Sequence, residues 1–218
     1  IIGPWQHGSR GTSMAGDHYF GIAADAMALG LDYIHLRWYD YWLKGIDNGI
    51  MDEPKVKIFV MGDNLWREEF EWPIKRAEDT NFYLHSNGKA NTRHGDGYLS
   101  VSPPSDEPFD VYLYNPNNPV PTAGGPLCCN PYFVRNGAFD QGEIEDRSDV
   151  LVYTTPPLET DVEVTGPVRV NLWATTTALD TDFTAKLVDV CEDGCARNLT
   201  DGIIRARYRY SKIGRAHV

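Results

Sequence analysis

His7 is the first side chain whose type and setting could do chemistry. It follows Ile1-Ile2-Gly3-Pro4-Trp5-Gln6 and precedes Gly8. Two β-branched residues running out through Gly-Pro read as a strand that ends in a loop. A loop on a strand end is held by the sheet while its side chains stay accessible. An imidazole there can act as a general base near neutral pH. His18 is a rival, but it lacks the strand-end context. It reads as a satisfied loop histidine, as do His35, His85 and His94. Asp17 and Asp25 are the nearest downstream carboxylates, and their default roles are capping or loop hydrogen bonding. Ser9 and Ser13 lie in the loop after His7, and no G-x-S-x-G pattern occurs.

Other groups carry weaker signals. The four cysteines are Cys128, Cys129, Cys191 and Cys195. Cys191-Glu192-Asp193-Gly194-Cys195 could close a hairpin loop by a disulfide, its acidic Gly-containing tip suiting a turn. Free buried thiols are the other plain account. A zinc site using both pairs is disfavoured, because Cys128-Cys129 lacks the spacing of structural zinc modules. Asp180-Thr181-Asp182 offers too few oxygens for calcium and reads as a turn before a strand. Arg205, Arg207 and Arg209 alternate along one strand face. They could bind an anion, but pairing with acids across the sheet is the preferred reading. Asn198-Leu199-Thr200 is a glycosylation sequon, meaningful only in an exported eukaryotic chain. No cofactor and no metal is expected.

The elements that must position these groups change character along the chain. Residues 8 to 18 are rich in Gly, Ser and Thr, an irregular loop. Ala23 to Lys44 reads as a helix, with Leu31, Ile34, Trp38 and Trp42 on one face and Gly45 as its cap. That aromatic stripe is expected to pack on a sheet. Val56, Ile58 and Val60 mark a strand. Trp66, Phe70 and Trp72 then form an aromatic cluster read as an inter-domain plug. Beyond Lys75, short β-type runs alternate with turn clusters. The runs are Phe82 to Leu84, Val111 to Tyr114, Val150 to Tyr153, Val162 to Val164, Val168 to Trp173, Phe183 to Val190 and Ile203 to Tyr210. Such punctuation predicts an antiparallel β-sandwich. Val168, Val170 and Leu172 are expected to face its core, with Arg169 and Asn171 toward solvent.

The chain has 218 residues, is 42% hydrophobic and carries a net charge of -11. That composition supports a packed core and provides no basic footprint for nucleic acid. No apolar run reaches the ~18 residues of a membrane span. The chain opens without Met, so more sequence is expected upstream and export stays undecided.

Six stretches taken in order carry a resemblance: IIGPWQHG, FGIAADA, LRWYDYWLKG, PKVKIFVMGDNLWREEFEWP, FTAKLVDV and LTDGIIRARYR. Together they resemble the cocaine-esterase and X-Pro dipeptidyl-peptidase family of serine hydrolases. The resemblance implies an α/β-hydrolase domain with a Ser-His-Asp triad, followed by a jelly-roll, galactose-binding-like β-sandwich. The triad His of that family follows a Gly-Pro-Trp, and His7 matches it. The expected fold class is therefore α/β plus all-β. Residues 1–74 would be the C-terminal part of the hydrolase domain, and 75–212 an incomplete jelly roll. Since α/β-hydrolases order their triad Ser, Asp, His, the nucleophile and acid are expected upstream. The chain alone is then expected to be inactive.

Its substrate would be a small ester or amide, with no nucleic acid or membrane partner and a possible homo-oligomer. The alternative is a non-catalytic jelly-roll module binding carbohydrate or protein. Residues 213–218, Ile213 to Val218, leave the strand pattern and the family resemblance. They fit one frame of a sequencing-library adaptor and read as a non-native tail, which excludes His217 from any site.

Overall fold

A computed structural model describes residues 1–7, 11–128 and 135–210. Among these residues the β structure consists of four two-stranded antiparallel sheets. In chain order the elements are β1 (Met14–Ala15), β2 (His18–Tyr19), α1 (Leu31–Lys44), β3 (Val56–Val60), β4 (Leu65–Glu69), β5 (Tyr83–His85), β6 (Tyr98–Ser100), α2 (Gly142–Glu145), β7 (Asp182–Val190) and β8 (Ala196–Arg205). Single 3-10 turns lie at Ile22–Ala24 and Ala206–Tyr208.

The predicted β3 is present and pairs with β4, Val56 facing Glu69 and Val60 facing Leu65. Ile2 joins the other edge of β3 by a parallel bridge to Ile58. Its amide donates to the Lys57 carbonyl at 2.8 Å, and the Phe59 amide donates to the Ile2 carbonyl at 2.9 Å. Ala15, Phe20, Ala24 and Phe59 form a buried cluster with Trp66 packed against it. That core lies beside Trp5, whose ring meets Trp66 at 5.6 Å between centroids.

The helix begins later than the sequence suggested. Ile22–Ala24 makes one 3-10 turn, and a left-handed Gly30 (φ 70°) precedes Leu31. Two breaks therefore divide the periodic stretch before α1 starts. Its end is as expected: the Gly45 amide donates to the Tyr41 carbonyl and the Ile46 amide to the Asp40 carbonyl, a Schellman closure. Lys44 pairs with Asp40 at 2.6 Å in the last turn. The aromatic stripe does not pack as expected. Trp38 and Trp42 touch each other at 5.8 Å between ring centroids, both are exposed, and Leu31 is the buried helix residue.

Beyond residue 75 the β reading holds in part. β5–β6 and the long β7–β8 hairpin are ladders, the latter with an irregularity at Leu187/Val188. Val150 to Tyr153 is reduced to a bridge from Leu151 to Asn91. Val111 to Tyr114, Val162 to Val164 and Val168 to Trp173 form no ladder and carry no strand. Val168, Val170 and Leu172 are exposed rather than facing a core, and Trp173 is 99% exposed. Alternation prepares a segment for a sheet, but backbone pairing makes the strand.

The Arg205 to Arg209 alternation also breaks. β8 ends at Arg205 and a 3-10 turn follows. Arg205 pairs with Asp182 at 2.9 Å, and Arg207 pairs with Asp180. Arg209 instead caps the Ala206 carbonyl and lies over the Tyr210 ring. The acid pair and the arginine row, read separately from the sequence, are largely one set of cross-strand ion pairs.

Two regions meet at residue 16. Gly16 bridges Ala138, and a Cβ at Gly16 would lie 2.0 Å from the Ala138 carbonyl oxygen. Only glycine permits that approach. Arg67 of β4 adds a bidentate grip on Glu163, at 2.8 and 2.6 Å, and its Nε donates to Glu69. Arg76 donates to the same Glu69 carboxylate. No helix among the described residues is long and apolar enough to cross a membrane. Residues 213–218 lie outside the described residues, as do Cys129 and the loop serine Ser9.

Candidate active site

His7 is exposed at the end of a short segment fixed at both of its other points. One point is Ile2 on the edge of β3. The other is Trp5. Its indole N–H donates to the Ala24 carbonyl at 2.5 Å, and its ring meets Trp66 at 5.6 Å between centroids. The Trp66 indole donates to the neighbouring Ala23 carbonyl at 2.6 Å. Two indoles thus clamp one 3-10 turn, satisfying carbonyls that would otherwise lack partners. Trp66 also meets Phe59 edge-on at 5.3 Å.

Gly3 completes the clamp. A Cβ there would fall 2.7 Å from the Trp5 ring carbons, so any larger residue would push the indole off its seat. The Gly-Pro-Trp stretch therefore has a mechanical meaning. Gly3 makes room, Trp5 anchors, and the chain between Ile2 and Trp5 delivers His7 to the surface beyond them. The sequence reading named His7 but not Gly3, Trp5 and Trp66 as its supports. The signal available was the Gly-Pro-Trp spacing itself.

The rival groups have other duties. Asp25 accepts from the Met27 amide at 2.7 Å, the loop hydrogen bonding expected of it. The Asp17 amide donates to the Ala138 carbonyl. His18 is in β2 rather than in a loop, half-buried edge-on against Phe20 at 4.4 Å. Burial, then the positive charge of Arg197, holds its pKa down. His35 is on α1, and His94 lies 3.2 Å from Asp146.

His85 forms an acid–imidazole pair with Glu107 that no spacing in the sequence reveals. It is 4% exposed. Nδ1 lies 2.8 Å from Glu107 Oε1, and Nε2 lies 3.0 Å from the Ser102 carbonyl oxygen. Both partners are acceptors, an arrangement that favours the doubly protonated ring donating from both nitrogens. The Glu107 hydrogen bond accordingly raises its pKa, and His85 lowers that of Glu107. Tyr98 stacks on the ring at 4.6 Å. No lone pair is left to take a proton, so the pair is structural. The adjacent Ser86 hydroxyl is also committed, donating to Asp110 at 2.7 Å beside the Tyr153 hydroxyl at 2.7 Å.

Asn198 is likewise spoken for. Its Oδ1 accepts from the Phe139 amide at 2.8 Å and from Gln141 at 3.2 Å, and the residue is buried. In the folded protein its side-chain amide is therefore engaged in the interior. Gln141 is 1% exposed. It donates to the Ala123 and Phe139 carbonyls and accepts from Lys186 Nζ at 2.6 Å. Cys191 and Cys195 are free thiols. Among the described residues no group of three or more His, Cys, Asp or Glu side chains converges as metal ligands would.

Residues 48–213 match the family described as the X-Pro dipeptidyl-peptidase C-terminal non-catalytic domain. The chain belongs to the cocaine-esterase and X-Pro dipeptidyl-peptidase family. It is 46% identical over 213 residues to the cocaine esterase of Rhodococcus sp. (strain MB1 Bresler), covering 98% of this chain and 37% of that protein. A Mycobacterium bovis protein named as a serine esterase is 28% identical over 222 residues, covering 96% of this chain and 31% of its own length. A Bacillus cereus protein named as an Xaa-Pro dipeptidyl-peptidase is 27% identical over 153 residues, covering 70% of this chain and 22% of its own. The chain therefore spans roughly a third or less of the length of the curated relatives it matches. These relatives bear the names of esterases and of a dipeptidyl-peptidase, and the domain that accounts for most of this chain is a non-catalytic one.

Proposed function

We propose that the whole protein to which this chain belongs is a serine hydrolase cleaving ester or amide bonds. In this reading His7 is the imidazole of its Ser-His-Asp triad. It takes the proton of the attacking serine and returns it to the leaving group. The observation that carries the reading is the delivery of His7. It stands exposed on a short segment held by Ile2 pairing in parallel with β3 and by the Trp5 clamp. Parallel pairing of a strand that ends in a catalytic loop is the arrangement expected at the carboxyl edge of an α/β sheet. The nucleophile, the acid and the oxyanion donors come from outside residues 1–218, and residues 75–212 supply shape rather than chemistry.

A fluorophosphonate probe applied to the complete protein tests this. The expected result is one labelled serine outside these 218 residues, with labelling lost in His7→Ala. Labelling of Ser9 or Ser13, or labelling undiminished in His7→Ala, would overturn it. The chain by itself is expected to hydrolyse an activated ester no faster than its own His7→Ala variant.

A further inference from the structure

The turn joining β7 to β8 carries two thiols in register. Val190 faces Ala196 in the ladder, so Cys191 and Cys195 make the next rung. The Cys191 amide donates to the Cys195 carbonyl at 2.8 Å, and the Gly194 amide donates to the Cys191 carbonyl at 2.9 Å. Gly194 is left-handed at φ 84°. This is the three-residue hairpin loop, a tight turn followed by a left-handed glycine. Residues opposed on such a rung have Cα atoms about 5.5 Å apart. A disulfide spans about 4.4–6.8 Å.

Arg197, two residues further on, lies over both sulfurs. Its Nη1 is 3.7 Å from Cys191 Sγ and its Nη2 is 3.9 Å from Cys195 Sγ. Its Nε is buried without a hydrogen-bond partner among the described residues. A guanidinium set against two sulfurs favours a thiolate, the reactive form of cysteine. Burial, then the hydrogen bond with Cys191, pushes the Cys195 thiol up to about 11.

We propose that Cys191 and Cys195 are a redox-active dithiol that a small-molecule disulfide of the glutathione class closes into a cross-hairpin disulfide. The Cys191 thiolate attacks one sulfur of the oxidant, breaking its S–S bond and releasing one small thiolate. Cys195 then loses its proton to solvent and attacks the Cys191 sulfur of the mixed disulfide. The second small thiolate leaves and is protonated. Two protein thiols are oxidised, and one disulfide is reduced to two thiols. Closure ties the two ends of the turn two rungs from Arg197, which itself bridges Asp140.

The test uses the full chain, equilibrated natively across a series of reduced-to-oxidised glutathione ratios and trapped with iodoacetamide. Trypsin cutting after Lys186 and Arg197 isolates Leu187–Arg197, which holds both thiols and neither Cys128 nor Cys129. The expected oxidised product is this peptide unalkylated and two hydrogens lighter than the dithiol. Its fraction should follow one two-electron couple, tenfold for each change of about 30 mV. Closing should need a less oxidising buffer in the native chain than in guanidinium. Cys191→Ser should instead leave a lasting glutathione adduct on Cys195. A peptide doubly alkylated at every ratio, lasting adducts on both cysteines of the unsubstituted chain, or the same midpoint in denaturant would each overturn the proposal.

Discussion

The segment around His7 and the region from residue 75 onward are held by different physics. Around His7 the work is done by rings: Trp5, Trp66, Phe59 and Phe20 pack together, and the polar requirement is met by two indole N–H groups on adjacent carbonyls. Farther along, buried polar groups dominate: the His85–Glu107 pair, Asp110 under Ser86, Ala90 and Tyr153, and Gln141 joined to Asn198 and Lys186. An aromatic clamp loses little when one hydrogen bond is removed, because packing remains. A buried polar knot loses much, because each deletion strands its partners without water. The segment that carries His7 is thus seated on the more forgiving of the two.

Gln141→Ala should break this contrast most visibly. It strands the Lys186 Nζ and the Ala123 carbonyl that Gln141 satisfies, and the expected loss of stability is about 3 kcal/mol. Urea denaturation of the chain checks it. A loss under about 1 kcal/mol would mean that the knot is readily rehydrated. Trp5→Phe comes next. It keeps a ring on Trp66 but removes the donor to Ala24, for an expected loss of about 1 kcal/mol. If this substitution costs as much as Gln141→Ala, the contrast between clamp and knot fails.

The third effect is one of pH and is the smallest. The folded-state pKa of His85 is raised above the ordinary value of 6.5. Its contribution is then complete below pH 6.5 and fades as pH rises through the raised folded value. The urea midpoint of the unsubstituted chain should fall over that range more steeply than that of His85→Gln. Parallel pH profiles would show that the imidazolium contributes nothing.

Much of this could be read from local pattern, and what could not has a common cause. The Gly45 cap, β3 and the core of β7 follow from spacing within a few residues. The start of α1 was misplaced because apolar periodicity runs through Ile22–Ala24, while the backbone turns at Gly21 and Gly30. The segment Val168 to Trp173 alternates as a strand should, yet its pairing depends on a neighbour that no local pattern names. The long-range polar contacts were invisible for the same reason. Gln141 and Asn198 are 57 residues apart and His85 and Glu107 are 22 apart, and neither pair has a spacing signature. The setting of His7 was legible because its support is short-range on one side, Gly3 to Trp5, and the motif records it.

The most direct measurement is kcat for an activated ester with the complete protein and its His7→Ala variant, both checked for the same urea midpoint. The account predicts a fall of about 10⁴ or more at unchanged stability. A variant that retains kcat to within about tenfold would contradict it, since removing a triad member should cost far more.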